Sequence, residues 1–154
     1  MKDARLLFFD CESTGLPIRR DLSPRDVSGW PRLVQLAWGM YDPQGNLLNI
    51  RSHIIRPDGF IIPAEATAIH GISHSRALRE GENLARVLDD FEEAIEAPVI
   101  TLVAHNLEFD CGVLGAEFFR LKRNSRFLDV PGICTMKTTA EFCRLPRPHG
   151  QGFK

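Results

Sequence analysis

Leu6-Leu7-Phe8-Phe9-Asp10-Cys11-Glu12-Ser13-Thr14-Gly15 is the stretch on which the rest of the chain turns. Its first four residues are wholly apolar. So short an apolar run reads as a strand buried on both faces, as at the centre of a sheet. The strand is expected to end at Asp10, with Ser13-Thr14-Gly15 turning the chain away. Strand geometry sends Asp10 and Glu12, two apart, to one face and Cys11 to the other, into the core. Two carboxylates so close repel unless a proton or cation lies between them. Oxygen donors without thiol or imidazole partners suit Mg²⁺ or Mn²⁺. Taken alone, the pair reads as two surface acids after a strand.

Outward from this strand, Ile18 to Arg32 is a polar loop broken by Pro24, Gly29 and Pro31. Leu33 to Tyr41 and Leu47 to Ile55 read as an antiparallel hairpin. Its turn is Asp42-Pro43-Gln44-Gly45, with proline preset for the first central position. Ala64 to His70 reads as a short helix stopped by Gly71, and Ser73 caps a second short turn. Leu84, Leu88, Phe91 and Ile95 mark one face of an amphipathic helix that Pro98 stops. Its other face carries Asp89, Asp90, Glu92, Glu93 and Glu96. Val99 to Ala104 is another buried strand, ending at His105. Leu107, Cys111, Leu114, Phe118 and Leu121 give the clearest helical spacing, and Asn106 is placed to cap that helix. Ile133 to Met136 reads as a last strand and Lys137 to Cys143 as a helical turn. Pro146, Pro148, Gly150 and Gly152 leave the end irregular. This order predicts an α/β fold with a mixed sheet flanked by helices, not a doubly wound parallel one.

The second apolar strand is also followed by acid, in His105-Asn106-Leu107-Glu108-Phe109-Asp110. Asp110 falls in the first turn of the next helix, where the macrodipole favours a carboxylate. Ligands of open α/β sheets gather at the carboxyl ends of parallel strands. If the strands beginning at Leu6 and Val99 are parallel neighbours, Asp10, Glu12 and Asp110 converge. Taken alone, Asp110 reads as no more than a helix N-terminal acid.

Together the stretches carry a resemblance. Phe9-Asp10-Cys11-Glu12-Ser13-Thr14-Gly15 resembles the first motif, Asp-x-Glu-Thr/Ser-Thr-Gly, of the DEDD, or DnaQ-like, 3′–5′ exonucleases. Ala104-His105-Asn106 with Phe109-Asp110 resembles their second motif, His-Asn-x-x-Phe-Asp. Ile69-His70-Gly71-Ile72-Ser73 resembles their His-Gly-Ile-Thr/Ser segment. The family includes the proofreading epsilon subunit of bacterial DNA polymerase III. The resemblance implies a ribonuclease H-like sheet and hydrolysis of phosphodiester bonds at nucleic-acid 3′ ends by two Mg²⁺ or Mn²⁺ ions ~4 Å apart. It implies that Asp10 bridges both ions, Glu12 holds the one that activates water, and Asp110 supports the second. It places Ser13 and Thr14 at the 3′-terminal nucleotide and His70 and Phe109 at its sugar or base. His105 and Asn106 come with the second motif as substrate-binding positions. An aromatic at 109 would stack on any base. The implied partners are single-stranded DNA or RNA 3′ ends, with a DNA polymerase as candidate protein partner.

The family's third motif, His-x-Ala-x-x-Asp or a tyrosine version, supplies the general base and the last metal carboxylate. No such motif follows Asp110: His149 is the only later histidine, and Lys154 stands five residues after it. The expectation is one exonuclease domain over residues 1–154, C-terminally truncated and impaired in turnover. The competing reading is a nucleic-acid-binding or polymerase-associated module of the same fold without turnover. Three mutually repelling acids argue against it, because a pure binding module gains nothing from them.

Composition agrees with a single folded domain. The 154 residues are 44% hydrophobic and 25% charged, near globular averages, which excludes collagen, coiled coil and disorder. No apolar run reaches the roughly 18 residues of a membrane span, and Met1-Lys2-Asp3-Ala4-Arg5 does not open a secretory signal. Cys11, Cys111, Cys134 and Cys143 form no Cys-x-x-Cys pair, so a cytoplasmic setting with reduced thiols and no membrane is expected. The net charge of −1 hides an asymmetry. From Phe118 to Lys154, eight Lys/Arg face only Asp129 and Glu141, a net +6 that leaves −7 elsewhere. That basic third either faces phosphates or forms a solvated helix face. His70 and His74 are four apart, but Gly71 breaks the helix between them and no third ligand is evident, so zinc is not expected. Cys11 and Cys111 read as packing residues, Trp30 and Trp38 as core or loop anchors, and His53 as a residue without a nameable partner.

Overall fold

The computed structural model describes residues 4–97 and 99–145. Among them, five strands form one sheet in the order β3-β2-β1-β4-β5. β1 (Ala4–Ser13) is central, flanked antiparallel by β2 (Leu33–Tyr41), which pairs in turn with β3 (Leu47–Ile54). On its other side β4 (Val99–Ala104) runs parallel to it, and β5 (Gly132–Cys134) parallel to β4. The sheet is therefore mixed. Ala4 to Phe8 lies alongside Val99 to Val103, which is the parallel neighbourhood that convergence of the acids requires.

The expectation of a strand buried on both faces fails for β1. Leu7, Phe9 and Cys11 point into the core, whereas Phe8 is 42% exposed. The reason is one-sided helix packing. Leu88 and Phe91 of α3 (Leu84–Ala94) and Val113 and Leu114 of α4 (Leu107–Arg120) join one core with Leu7, Phe9, Leu36 and Leu102. Phe8, Ile50, Val99 and Ile133, on the other face, stay exposed. β1 also runs past Asp10 to Ser13, so both acids are strand residues.

Local chemistry accounts for the other elements. In the hairpin turn, Asp42 Oδ1 accepts the N–H groups of Gln44 and Asn46, and Gly45 takes a φ of 85°. α1 (Ala64–His70) stops at Gly71, whose φ of 76° lets its N–H return to the Thr67 carbonyl. Ser73 caps α2 (His74–Glu80) and Asn83 caps α3, each side chain accepting a backbone N–H three residues on. Asn106 does not cap α4 as expected. It sits in the left-handed region with φ 75°, which asparagine tolerates, and its carbonyl accepts the Phe109 N–H. The last strand is shorter than its apolar run, and Met136 belongs instead to α5 (Thr135–Cys143). α3 ends at Ala94; the readings of Pro98, Pro146, Pro148, His149, Gly150, Gly152 and Lys154 fall outside the described residues. No described helix is long and apolar enough to cross a membrane.

Candidate active site

Parallel pairing of β1 with β4 puts the two acidic stretches side by side. Asp10 and Glu12 leave β1 on the face opposite Cys11. A register shift against β2 falls between Glu12 and Ser13, a bulge that re-aims the strand end. Asp110, in the first turn of α4, is only 1% exposed. Its Oδ1 accepts the Cys11 N–H at 3.1 Å, so the helix is fastened to β1 at the residue between the other two acids.

The electrostatics follow from that placement. Burial, and then the charge of Asp10, push the Asp110 carboxyl up from its ordinary 3.8 to about 7, against the opposing hydrogen bond from the Cys11 N–H. Glu12 is raised by burial and by Asp10, with His70 pulling the other way. Burial first and Asp110 second raise Cys11 well above its usual value and Cys111 to about 12, so both are packed thiols rather than nucleophiles. Asp110 Oδ2 is buried without a hydrogen-bond partner. An all-oxygen donor set with an orphaned buried oxygen fits a hard divalent cation, which would satisfy Oδ2 and relieve the repulsion. As they stand, no group of three or more His, Cys, Asp or Glu side chains among the described residues is gathered to hold an ion.

Of the remaining expected site residues, Ser13 and Thr14 spend their hydroxyls on the turn itself. Ser13 Oγ donates to the Gly15 carbonyl at 2.8 Å, and Thr14 Oγ1 accepts the Arg32 N–H at 2.9 Å. His70 Nδ1 accepts the Ile72 N–H at 3.1 Å, leaving Nε2 buried and unpartnered in a ring close enough to influence Glu12. His105 is exposed, its Nδ1 3.1 Å from Thr135 Oγ1. With Asp10 it lines a cleft of about 660 Å³ over Phe8 and Gly39. Phe109 is half-buried against the core, and Asn106 is half-buried in its left-handed turn. Asp10, Glu12, Asp110 and His70 are thus in electrostatic contact, and His105 shares the cleft of Asp10.

Two groupings escape the sequence reading. His53 does have a partner: its Nδ1 lies 2.7 Å from Glu82 Oε1, and its ring stacks on Trp38 at 5.1 Å. Glu117 is wholly buried, paired with Arg32 and Arg120. Its signal was its spacing: it lies seven residues, two helical turns, after Asp110 on the same helix face. Trp30 and Trp38 are buried anchors, as expected.

The RNase_T family model, described as an exonuclease, matches residues 7–147. The PolC-type DNA polymerase III of Streptococcus thermophilus is 31% identical over 121 residues, which are 78% of this chain and 7% of that protein. Product-bound exonuclease I superposes with a TM-score of 0.76 at 21% identity, over 99% of this chain and 34% of that one. E. coli exonuclease I in complex with a dT13 oligonucleotide gives 0.74 at 22% identity, over 98% and 32%. At such identities the likeness is one of fold. The chain spans a small fraction of the polymerase and about a third of exonuclease I.

Proposed function

This chain belongs to the DEDD, or DnaQ-like, exonuclease family, and from that premise we propose that it removes nucleotides from single-stranded 3′ ends with two Mg²⁺ or Mn²⁺ ions. The observation that carries this reading is the joining of two motifs by the Cys11 N–H to Asp110 hydrogen bond, which sets a buried, underbonded carboxylate against Asp10 and Glu12. Asp10, Glu12 and Asp110 are the residues that would hold the ions. When bound, such ions make a coordinated water acidic and stabilise charge on the phosphoryl oxygens.

The chain's own residues do the rest. The turn Ser13-Thr14-Gly15, tied to Arg32, offers its backbone to the terminal nucleotide. By the motif match, His70, His105, Asn106 and Phe109 are the residues assigned to the terminal sugar and base. DNA is the favoured strand, supported by the dT13 complex of a protein with this fold, and a polymerase assembly is supported by the PolC-type relative. Four free cysteines accord with a reducing, cytoplasmic setting.

The test is product analysis at high protein concentration with Mn²⁺. Linear single strands with a 3′-hydroxyl should release 5′-mononucleotides, while 3′-phosphorylated and circular strands resist. Asp10→Ala should abolish release. Efficient cutting of circular strands would overturn the reading.

A further inference from the structure

Glu117 is the least exposed carboxylate in the described residues, yet it has no place in the chemistry above. Its Oε1 accepts the Leu33 N–H at 3.0 Å and Arg32 Nε at 2.9 Å, and is ion-paired with Arg120 at 2.9 Å. Each leads to the segment between β1 and β2. Arg120 also donates to the carbonyls of Val27, Trp30 and Pro31. The Arg32 guanidinium lies 4.3 Å over the Phe60 ring, which fixes its far side. The Arg32 backbone then clasps Thr14 in both directions. Its carbonyl accepts the Thr14 N–H at 2.9 Å, and its own N–H donates to Thr14 Oγ1 at 2.9 Å.

One face of α4 thus grips two adjacent strands by the same means. Asp110 takes a backbone N–H of β1 at Cys11, and two turns later Glu117 takes one of β2 at Leu33. Between these grips lies the bulge at Glu12 and Ser13, where the register of β1 on β2 shifts. A bulge leaves a strand end with fewer ladder bonds, so its aim depends on what holds it from outside. Burying a carboxylate between two guanidiniums adds little net stability compared with apolar packing. What it supplies is a fixed geometry.

We propose that Glu117 is a positioning residue for the nuclease site: through Arg32 and Leu33 it sets the Ser13-Thr14-Gly15 turn against which the terminal nucleotide binds. This rests on the functional reading above only in its last step. The link from Glu117 to Thr14 stands or falls without any substrate.

The experiment has two arms. Amide hydrogen exchange, read by NMR, compares wild type with Glu117→Gln, and with Arg32→Met, a milder change that leaves the Arg120 pair intact. The Thr14 amide should exchange at least tenfold faster in both variants, while Leu7 and Leu102 in the sheet interior keep their rates. If Glu117→Gln does not fold, Arg32→Met alone decides. Unchanged Thr14 exchange, or equal acceleration throughout the sheet, overturns the proposal. The second arm measures affinity for a single-stranded oligonucleotide with a free 3′ end, in Mn²⁺, well below the melting temperature of each variant. Affinity should fall several-fold in Arg32→Met, and adding Thr14→Val should cause no further loss, because both changes cut one linkage. Additive losses, or unaltered affinity beside a loosened Thr14, overturn the role in substrate positioning. A wild type that does not distinguish a 3′-hydroxyl from a 3′-phosphate end overturns the functional reading instead, and leaves the exchange result in force.

Discussion

Asp110 holds a carboxyl whose ordinary value of 3.8 is pushed up to about 7 by burial and by Asp10. Between those values the folded chain keeps a proton that the unfolded chain has released. Metal-free stability therefore falls as pH rises from about 4 to about 7, then levels. Glu12, also raised, adds in the same direction. Full expression of the Asp110 shift amounts to roughly 4 kcal/mol, taking ~1.4 kcal/mol per pH unit. Urea melts in EDTA from pH 5 to 8 should show this decline, Mn²⁺ should reverse it, and Asp110→Asn should flatten it. A metal-free stability that rises over the same range would refute the assignment. Phe109 is half-buried, so its two roles separate by measurement. Phe109→Ala is expected to weaken binding of single-stranded ends by ~1–3 kcal/mol, the worth of one base–aromatic stack. A variant that melts much earlier yet binds normally when folded would make it a packing residue.

At the scale of elements, α4 is the organising helix, and its contact with the loop before β2 is unusually close. A Cβ at Gly112 would come within 1.9 Å of the Trp30 ring, so glycine is what lets the indole lie on the helix. The indole is held there from its other side, its Nε1 donating to the Ser23 carbonyl at 3.0 Å. Gly112→Ala must displace the ring or the helix, and overpacking of this kind costs ~1–3 kcal/mol. Chemical denaturation gives the loss, and tryptophan emission reports whether Trp30 has moved. Arg120 and Glu117 tie the same loop to α4, so the substitution should also speed amide exchange in residues 27–32.

Among the described residues, the sheet is packed on one side only. Phe8, Ile50, Val99 and Ile133 are between 42% and 63% exposed on the sheet face opposite the core. A contiguous apolar face of this kind favours association. Ile50, at 63%, stands on β3 at the sheet edge, where a charge interrupts both the patch and edge-to-edge pairing. Ile50→Lys should therefore lower concentration-dependent association in sedimentation, and reduce binding of a hydrophobic dye, without lowering the melting temperature. An unaltered association constant would place the contact elsewhere.

Local spacing alone determined much of this protein. Leu84, Leu88, Phe91 and Ile95 marked α3, and Leu107 to Leu121 marked α4, because a helix repeats its buried face every three to four residues. Gly71 and Ser73 announced the end of α1 and the start of α2, since a left-handed stop and a side-chain cap are properties of single residues. The two acidic stretches were equally legible as short runs after apolar strands, and the strands that carry them do run parallel side by side. Burial and charge coupling were not, because both are set by residues far away along the chain. Phe8 sits in an apolar run but faces an uncovered side. Asp110 is pushed up by burial and then by Asp10, a hundred residues earlier, and His53 finds Glu82 across the fold. Glu117 had no assigned role in the sequence; its role as an anchor comes from β2 laying the Leu33 N–H and Arg32 against it. Spacing says which face a side chain leaves from; only tertiary packing decides what lies over that face, and so whether a carboxylate there is solvated, protonated or used as an anchor.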